Sequence, residues 1–325
     1  MVRLARVEYL GETVLAAQLK DNGDYCDLSS IAKDVPAFFA LLSLLSTTTS
    51  TIMMEQQQSV RDLIAGKRSD KLRIIPARHC KLLAPLDKMQ VNKLIGIGMN
   101  YFDVCKELNK PIPTEPMVFS KFGSCIVGTG DPIPTCQSIT QKLDYEAELG
   151  VVIGKVVPRN ASLEVARQCI GGFTVVHDVS ARDWQLEKNG GQWLLGKAGD
   201  GYAPIGPVIV TTDEMPLEMA QNANIQCRVN GETLQNSNTK NLVHKVDDII
   251  SFLSKFMTLY PGDVICTGTP PGVGCFRKPP RWLVPGDVVE CEIDGIGTIV
   301  NPVVQLEGGS SAAEGEATTM MQSKL

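Results

Sequence analysis

From Lys93 onward the chain is written in short β-branched runs punctuated by glycine and proline, which points to a rolled or barrel-like sheet. Residues 94–97, 118–120, 148–153, 173–176, 208–210, 225–229, 264–266, 288–293 and 297–300 all have strand length and composition. One device occurs twice, in Tyr260-Pro261-Gly262-Asp263-Val264-Ile265 and Val284-Pro285-Gly286-Asp287-Val288-Val289. Each copy is a Pro-Gly turn feeding a strand, and the second strand folds back through Asp294-Gly295. Helices are few. Ser162 can cap one that runs to Cys169 and stops at Gly171-Gly172. Asp247 can cap another, whose Ile250, Leu253 and Phe256/Met257 repeat at helical spacing and give a buried face. The expected class is α+β and β-rich.

Residues 1–85 read as a small separate α/β unit, with strands at 3–9, 13–19 and 25–28 and a turn at Asp21-Asn22-Gly23-Asp24. Helical sequence at 37–45 and 60–65 flanks the threonine-rich stretch 46–50. A second domain is expected over 92–303, and a low-complexity, disordered tail over 307–325.

Composition narrows the function classes. With 325 residues and 43% hydrophobic content the chain can bury a substantial core. A net charge of −5 argues against nucleic-acid binding, which needs a basic face. The ten cysteines are scattered with no C-x-x-C, so reduced thiols in an intracellular protein are expected. The N-terminus does not read as a secretory signal. The longest apolar stretch, 35–45, contains Pro36 and Ser43 and is far short of the roughly 20 residues a membrane helix needs. The tail ends in Ser323-Lys324-Leu325, which reads as a peroxisomal address for an import receptor, with a cytoplasmic location if it is not used.

The chemistry starts in Leu143-Asp144-Tyr145-Glu146-Ala147-Glu148-Leu149-Gly150. On a strand, Asp144, Glu146 and Glu148 share one face and repel one another. A divalent cation offsets that repulsion, and oxygen-only ligands suit magnesium, manganese or calcium. Asp178 ends a second apolar strand, and Arg182 and Gln185 follow it three apart, where they can share a helix face. Arg182 can grip a substrate carboxylate with two donors. Lys197, in a glycine-rich loop, can stabilise an enolate. In Thr267-Gly268-Thr269-Pro270-Pro271-Gly272 the glycines allow close backbone approach and the threonines can bind carboxylate oxygens. For each segment taken singly, a solvated acidic strand, a surface ion pair or an ordinary loop is the plainer reading.

These segments occur together and in order. With Gly98-Met99-Asn100-Tyr101, Phe119-Ser120-Lys121-Phe122, Gln192-Trp193-Leu194-Leu195-Gly196-Lys197 and Phe276-Arg277-Lys278-Pro279-Pro280, the chain over about 92–303 resembles the fumarylacetoacetate hydrolase superfamily. Within it, the domain-containing-protein-2 subgroup is the nearest match. The resemblance implies a mixed β-roll, a magnesium or manganese ion and a homodimer. It implies Glu146, Glu148 and Asp178 as metal ligands, with Asp144 their neighbour. It implies Arg182, Gln185, Lys197 and Thr269 as substrate-contacting positions.

Two departures from the family pattern matter. Hydrolytic relatives carry a His and, three residues later, a Glu on a lid after Asn-Tyr. Here Glu107 is present but Val104 stands in the histidine's place. The three histidines, His79, His177 and His244, do not fill that place by position. Ala198-Gly199 replaces a Ser or Thr followed by Phe, which bears on the pocket wall. Hydrolytic C–C cleavage needs a base for water, whereas tautomerisation needs only proton movement on carbon. The expected function is therefore enol–keto tautomerisation or isomerisation of small oxo-acids such as oxaloacetate, with Lys197 and Glu107 catalytic. Hydrolysis of acylpyruvate-like substrates is the second reading, and a metal-binding protein without turnover the third.

Overall fold

The computed structural model describes residues 2–19, 23–44 and 72–306. The expected segments at 46–50, 60–65 and 307–325, and part of the turn at Asp21, lie outside them.

Among the described residues the largest sheet has twelve strands and is mixed. Its centre is the antiparallel pair Ala147–Ile153 and Ile170–His177, both buried along their whole length. On one side Ile170–His177 pairs with Ala203–Thr211, which pairs with Arg3–Tyr9 through Val210 and Ile209. On the other side Ala147–Ile153 pairs with Val264–Cys266, which runs parallel to Leu94–Gly98, and Met117–Lys121 forms that edge. A five-stranded sheet contains Asn224–Val229, Glu232–Asn238, Val288–Ile293 and Gly297–Gln305. This is the β-rich α+β fold expected from the strand rhythm.

Strand alternation explains the layering. Leu149 and Val151 face Ile225, Cys227, Cys291 and Ile299 of the smaller sheet in the main core. Val152 and Val176 point the other way, to a second core with Leu4, Leu15, Phe38 and Phe39. Each such fully buried side chain contributes on the order of 2 kcal/mol of transfer free energy.

Both Pro-Gly turns close in the same way. Asp263 accepts a hydrogen bond from the Tyr260 backbone N–H at 2.8 Å, and Asp287 accepts one from the Val284 N–H at 2.9 Å. The 163–168 helix starts as expected, with Ser162 accepting from the Val165 N–H at 3.3 Å. The other helix, Val246–Ser254, begins earlier than expected, with Lys245 as its cap residue. Asp247 lies in the first turn and is paired instead with Arg167 at 2.7 Å. Ile250 and Leu253 are buried, but Phe256 lies past the helix end and is exposed. All ten cysteines are free, and no described helix is long and apolar enough to cross a membrane.

Candidate active site

The register of the central pair builds the site. Ala147 lies opposite His177, and just beyond that pair the Asp178 N–H donates to the Glu146 carbonyl at 2.9 Å. This backbone contact sets Glu146 beside Asp178, while Glu148 projects from the adjoining strand. Ligand atoms of Glu146, Glu148 and Asp178 lie within 4.8 Å of one another, and all three residues are buried.

The acidic run is not one unbroken strand. Leu143–Asp144 pairs separately with Ser180–Ala181. Asp144 accepts from the Gly274 N–H at 2.7 Å, the Cys275 N–H at 3.0 Å and Arg182 Nε at 2.8 Å. It is a neighbour that orients Arg182.

Cations interleave with the carboxylates. Arg182 donates through Nη2 to Glu146 at 2.5 Å and through Nη1 to Gln185 at 2.8 Å, so the i, i+3 pair does share a face. Lys197 Nζ lies 2.9 Å from Glu146, 2.5 Å from Asp178 and 4.8 Å from the centre of the Phe119 ring. Gly196 lets this lysine's segment sit close. A Cβ there would come within 2.7 Å of the Gln185 backbone nitrogen.

Lys121 lies in the Phe119-Ser120-Lys121-Phe122 run, whose pattern alone assigns it no role. The structure buries it at 2% exposure, with Nζ 2.6 Å from Asp178 and 2.5 Å from the Lys197 carbonyl. The available signal was a lysine closing a strand whose centre, Val118-Phe119, is apolar.

Four buried carboxylates, Asp144, Glu146, Glu148 and Asp178, thus face three buried cations, Arg182, Lys197 and Lys121. Burial pushes the Asp178 carboxyl up, but the Lys121 and Lys197 charges outweigh it and hold it below the usual range. Among the described residues Glu148 forms no ion pair, and it accepts the Gly268 N–H, at 2.8 Å, from a glycine at φ +99. Burial, then the Asp178 and Glu146 charges, push its carboxyl well above the usual range. An oxygen-only donor set with one carboxylate short of a cation fits a hard divalent ion.

These groups open onto a cavity of about 140 Å³ lined by Glu146, Glu148, Arg182, Gln185, Lys197 and Thr269. The rest of the lining is largely apolar and includes Ile97, Val104, Phe119, Trp193 and Phe276. Phe119 and Trp193 pack at an interplanar angle of 56° with centroids 5.5 Å apart. Thr269 donates to the Ala147 carbonyl at 3.0 Å and accepts from Gln235 at 2.9 Å. Thr267 does not line the cavity, and its hydroxyl donates to the Leu149 carbonyl at 3.0 Å.

The lid positions fall apart. Val104 lines the cavity from the Phe102–Glu107 helix, but Glu107 is exposed on that helix and is not part of the lining. Glu107 shares a helix face with Val104 by its i, i+3 spacing, but at the helix end it is exposed to solvent. None of the three histidines lines the cavity. His177 is buried with Nε2 unpartnered, and burial pushes it down to about 3, so it is neutral. Ala198 and Gly199 are likewise absent from the lining.

The family profile described as "Fumarylacetoacetate (FAA) hydrolase C-terminal" matches residues 93–304. The chain is 45% identical over 290 residues to "Oxaloacetate tautomerase fahd2, mitochondrial" of Xenopus laevis, covering 89% of this chain and 86% of that one. It is 47% identical over 256 residues to the Homo sapiens "Oxaloacetate tautomerase FAHD2A, mitochondrial", covering 79% and 80%. Among solved structures it is similar to a fumarylacetoacetate hydrolase from Exiguobacterium antarcticum, with TM-score 0.76, 32% identity and coverage of 94% and 100%. A putative HpcE protein from Mycobacterium smegmatis gives TM-score 0.77 at 30% identity, with coverage of 94% and 100%. Both sequence relatives are named mitochondrial, which overturns the peroxisomal expectation. A three-residue signal is weak against similarity over most of a chain, and Ser323-Lys324-Leu325 lies outside the described residues.

Proposed function

Because this chain belongs to the fumarylacetoacetate hydrolase family, we propose that it is an enzyme interconverting the enol and keto forms of oxaloacetate with a divalent ion, magnesium or manganese, held by Glu146, Glu148 and Asp178. One observation carries the choice of reaction. The cavity lining presents Val104 where the family pattern has the histidine of the water-activating pair, and Glu107 is not part of that lining.

When bound, such an ion supplies Lewis-acid polarisation of the 2-oxo oxygen. The protein supplies the rest. Lys197 donates to the oxygen that carries the negative charge of the enolate common to the enol and keto forms, in a site where a low dielectric strengthens that contact. Burial alone would lower the Lys197 ammonium, but Asp178 and Glu146 reverse this and hold it above its ordinary value, so it stays protonated. Arg182 has five donors, of which Asp144, Gln185 and Glu146 take three. The remaining two can hold a substrate carboxylate, with Gln185 fixing the fork. Thr269 and the apolar wall complete the fit and exclude water.

A homodimer belongs to the same reading. Met117–Lys121 is the edge of the large sheet and exposes Met117 and Val118, followed by exposed Phe122, and such an edge favours cover by a second copy. Sedimentation of the purified chain tests it, and a monomer at micromolar concentration would reject it.

The decay of oxaloacetate enol absorbance, followed with protein, with and without a chelator, tests the function. Acceleration that the chelator abolishes is expected. Unchanged enol decay together with cleavage of acylpyruvates would replace the tautomerase by a hydrolase.

A further inference from the structure

Three cationic side chains line the cavity, Lys110, Arg182 and Lys197. Arg182 and Lys197 are already held by buried carboxylates at 2.5–2.9 Å. Lys110 differs from both. It is exposed, and among the described residues its ammonium takes part in no ion pair, hydrogen bond or ring contact. Its backbone, in contrast, is well fixed. Asn109 turns at φ +48 after the Phe102–Glu107 helix, the Lys110 N–H donates to the Cys105 carbonyl at 2.9 Å, and Pro111 restricts Lys110 from the other side. The chain thus folds back so that an exposed cation lines the same cavity as the apolar side chains.

A 2-oxo diacid brings two carboxylates. With the 2-oxo end held at the triad and Arg182, the distal carboxylate would meet the apolar part of the lining. Ile97, Val104 and Phe119 offer it no hydrogen bond, and an unpaired buried carboxylate is strongly disfavoured. We propose that Lys110 pairs with the distal carboxylate and makes the site selective for dicarboxylic over monocarboxylic 2-oxo acids. This rests on the oxo-acid function argued above and adds a specificity residue to it. The small volume, about 140 Å³ against roughly 300 Å³ or more for drug-sized pockets, keeps such a diacid short.

The test compares oxaloacetate with 2-oxobutyrate, which has the same skeleton with a methyl group in place of the distal carboxylate. Calorimetry on the cold magnesium-loaded protein reads both affinities, and the enol assay reads oxaloacetate turnover. Wild type is expected to bind oxaloacetate more tightly by about tenfold, the worth of one charge-assisted hydrogen bond. Lys110→Met should remove that preference by weakening oxaloacetate alone, Lys110→Arg should keep it, and Lys110→Glu should favour 2-oxobutyrate. The lysine is exposed and its backbone bond does not depend on the side chain, so the variants keep the fold. If Lys110→Met retains the preference, or weakens both acids equally, the proposal fails while the function stands. A wild-type protein that binds neither acid removes the function and the proposal together.

Discussion

The Lys121 ammonium lies 2.6 Å from Oδ1 of Asp178, and both side chains are fully buried. Lys197 approaches the other oxygen of the same carboxylate at 2.5 Å. Asp178 is therefore clamped from two sides, which fixes its position beside Glu146 and Glu148 before any ion arrives. Lys121→Met is expected to leave a buried carboxylate half-compensated, at a cost of about 3 kcal/mol of stability. Urea unfolding measures that cost, and manganese calorimetry should show weaker binding because the ligand is no longer held. An unchanged urea midpoint would mean that the pair contributes nothing net.

Among the described residues Glu148 is the carboxylate of the triad that forms no ion pair, so it should depend most on the ion. Glu148→Gln and Asp178→Asn are each expected to weaken manganese binding by at least about 100-fold, beyond what losing an outer partner does. Saturating wild type at 100 times Kd should add about 2.7 kcal/mol of stability, read as a rise in melting temperature. A chelator that leaves the melting temperature of the metal-treated protein unaltered would remove the metal assignment.

Val104→His places a base on the cavity wall. It is expected to raise acylpyruvate cleavage about tenfold over wild type, below the 10²–10⁴ of a fully positioned base, because Glu107 is exposed and a solvated carboxylate holds the imidazole weakly. Loss of acylpyruvate absorbance measures it. No gain would show that one residue of the lid does not decide between the two reactions.

Asp287 supplies a pH prediction away from the site. It accepts from Arg281 at 2.8 Å, Asn230 at 2.8 Å and the Val284 N–H at 2.9 Å. Burial raises its carboxyl, but the Arg281, Val284 and Asn230 hydrogen bonds outweigh burial and hold it below the ordinary value. Its folded value lies below the unfolded one, so its contribution is complete above about pH 4 and is lost as pH falls through the folded value. Asp287→Asn should lower stability by about 1–2 kcal/mol at pH 7, and the gap to wild type should narrow under acid. Urea midpoints from pH 7 downward check this, and a gap independent of pH would exclude ionisation as its source.

Much of the strand framework was readable because it rests on local patterns. Residues 264–266 and 288–293 have the boundaries that alternation and the Pro-Gly turns predict. The hairpin partner Glu232–Asn238 was missed, since ETLQNSN is polar and becomes a strand only through pairing with Asn224–Val229. The cluster of Glu146, Glu148 and Asp178 was legible through spacing and resemblance. Lys121 was not, because its role depends on a contact 57 positions away in the chain. Glu107 shows the opposite failure, where a motif position suggested chemistry for a side chain that is exposed at the helix end.

Asn100 holds the start of the Phe102–Glu107 helix in place. Its side chain donates to the Thr267 carbonyl at 2.8 Å and accepts from the His244 N–H at 2.8 Å, while its carbonyl accepts from the Val243 N–H at 2.9 Å. Asp103 adds a bond from Ser237 at 2.6 Å. Beyond that, residues 108–110 are hydrogen-bonded only back to their own helix, among the described residues. The helix is thus moored at its start, so the position of Val104 in the cavity is set by loops around Val243 and Thr267 that lie more than 130 residues further along the chain.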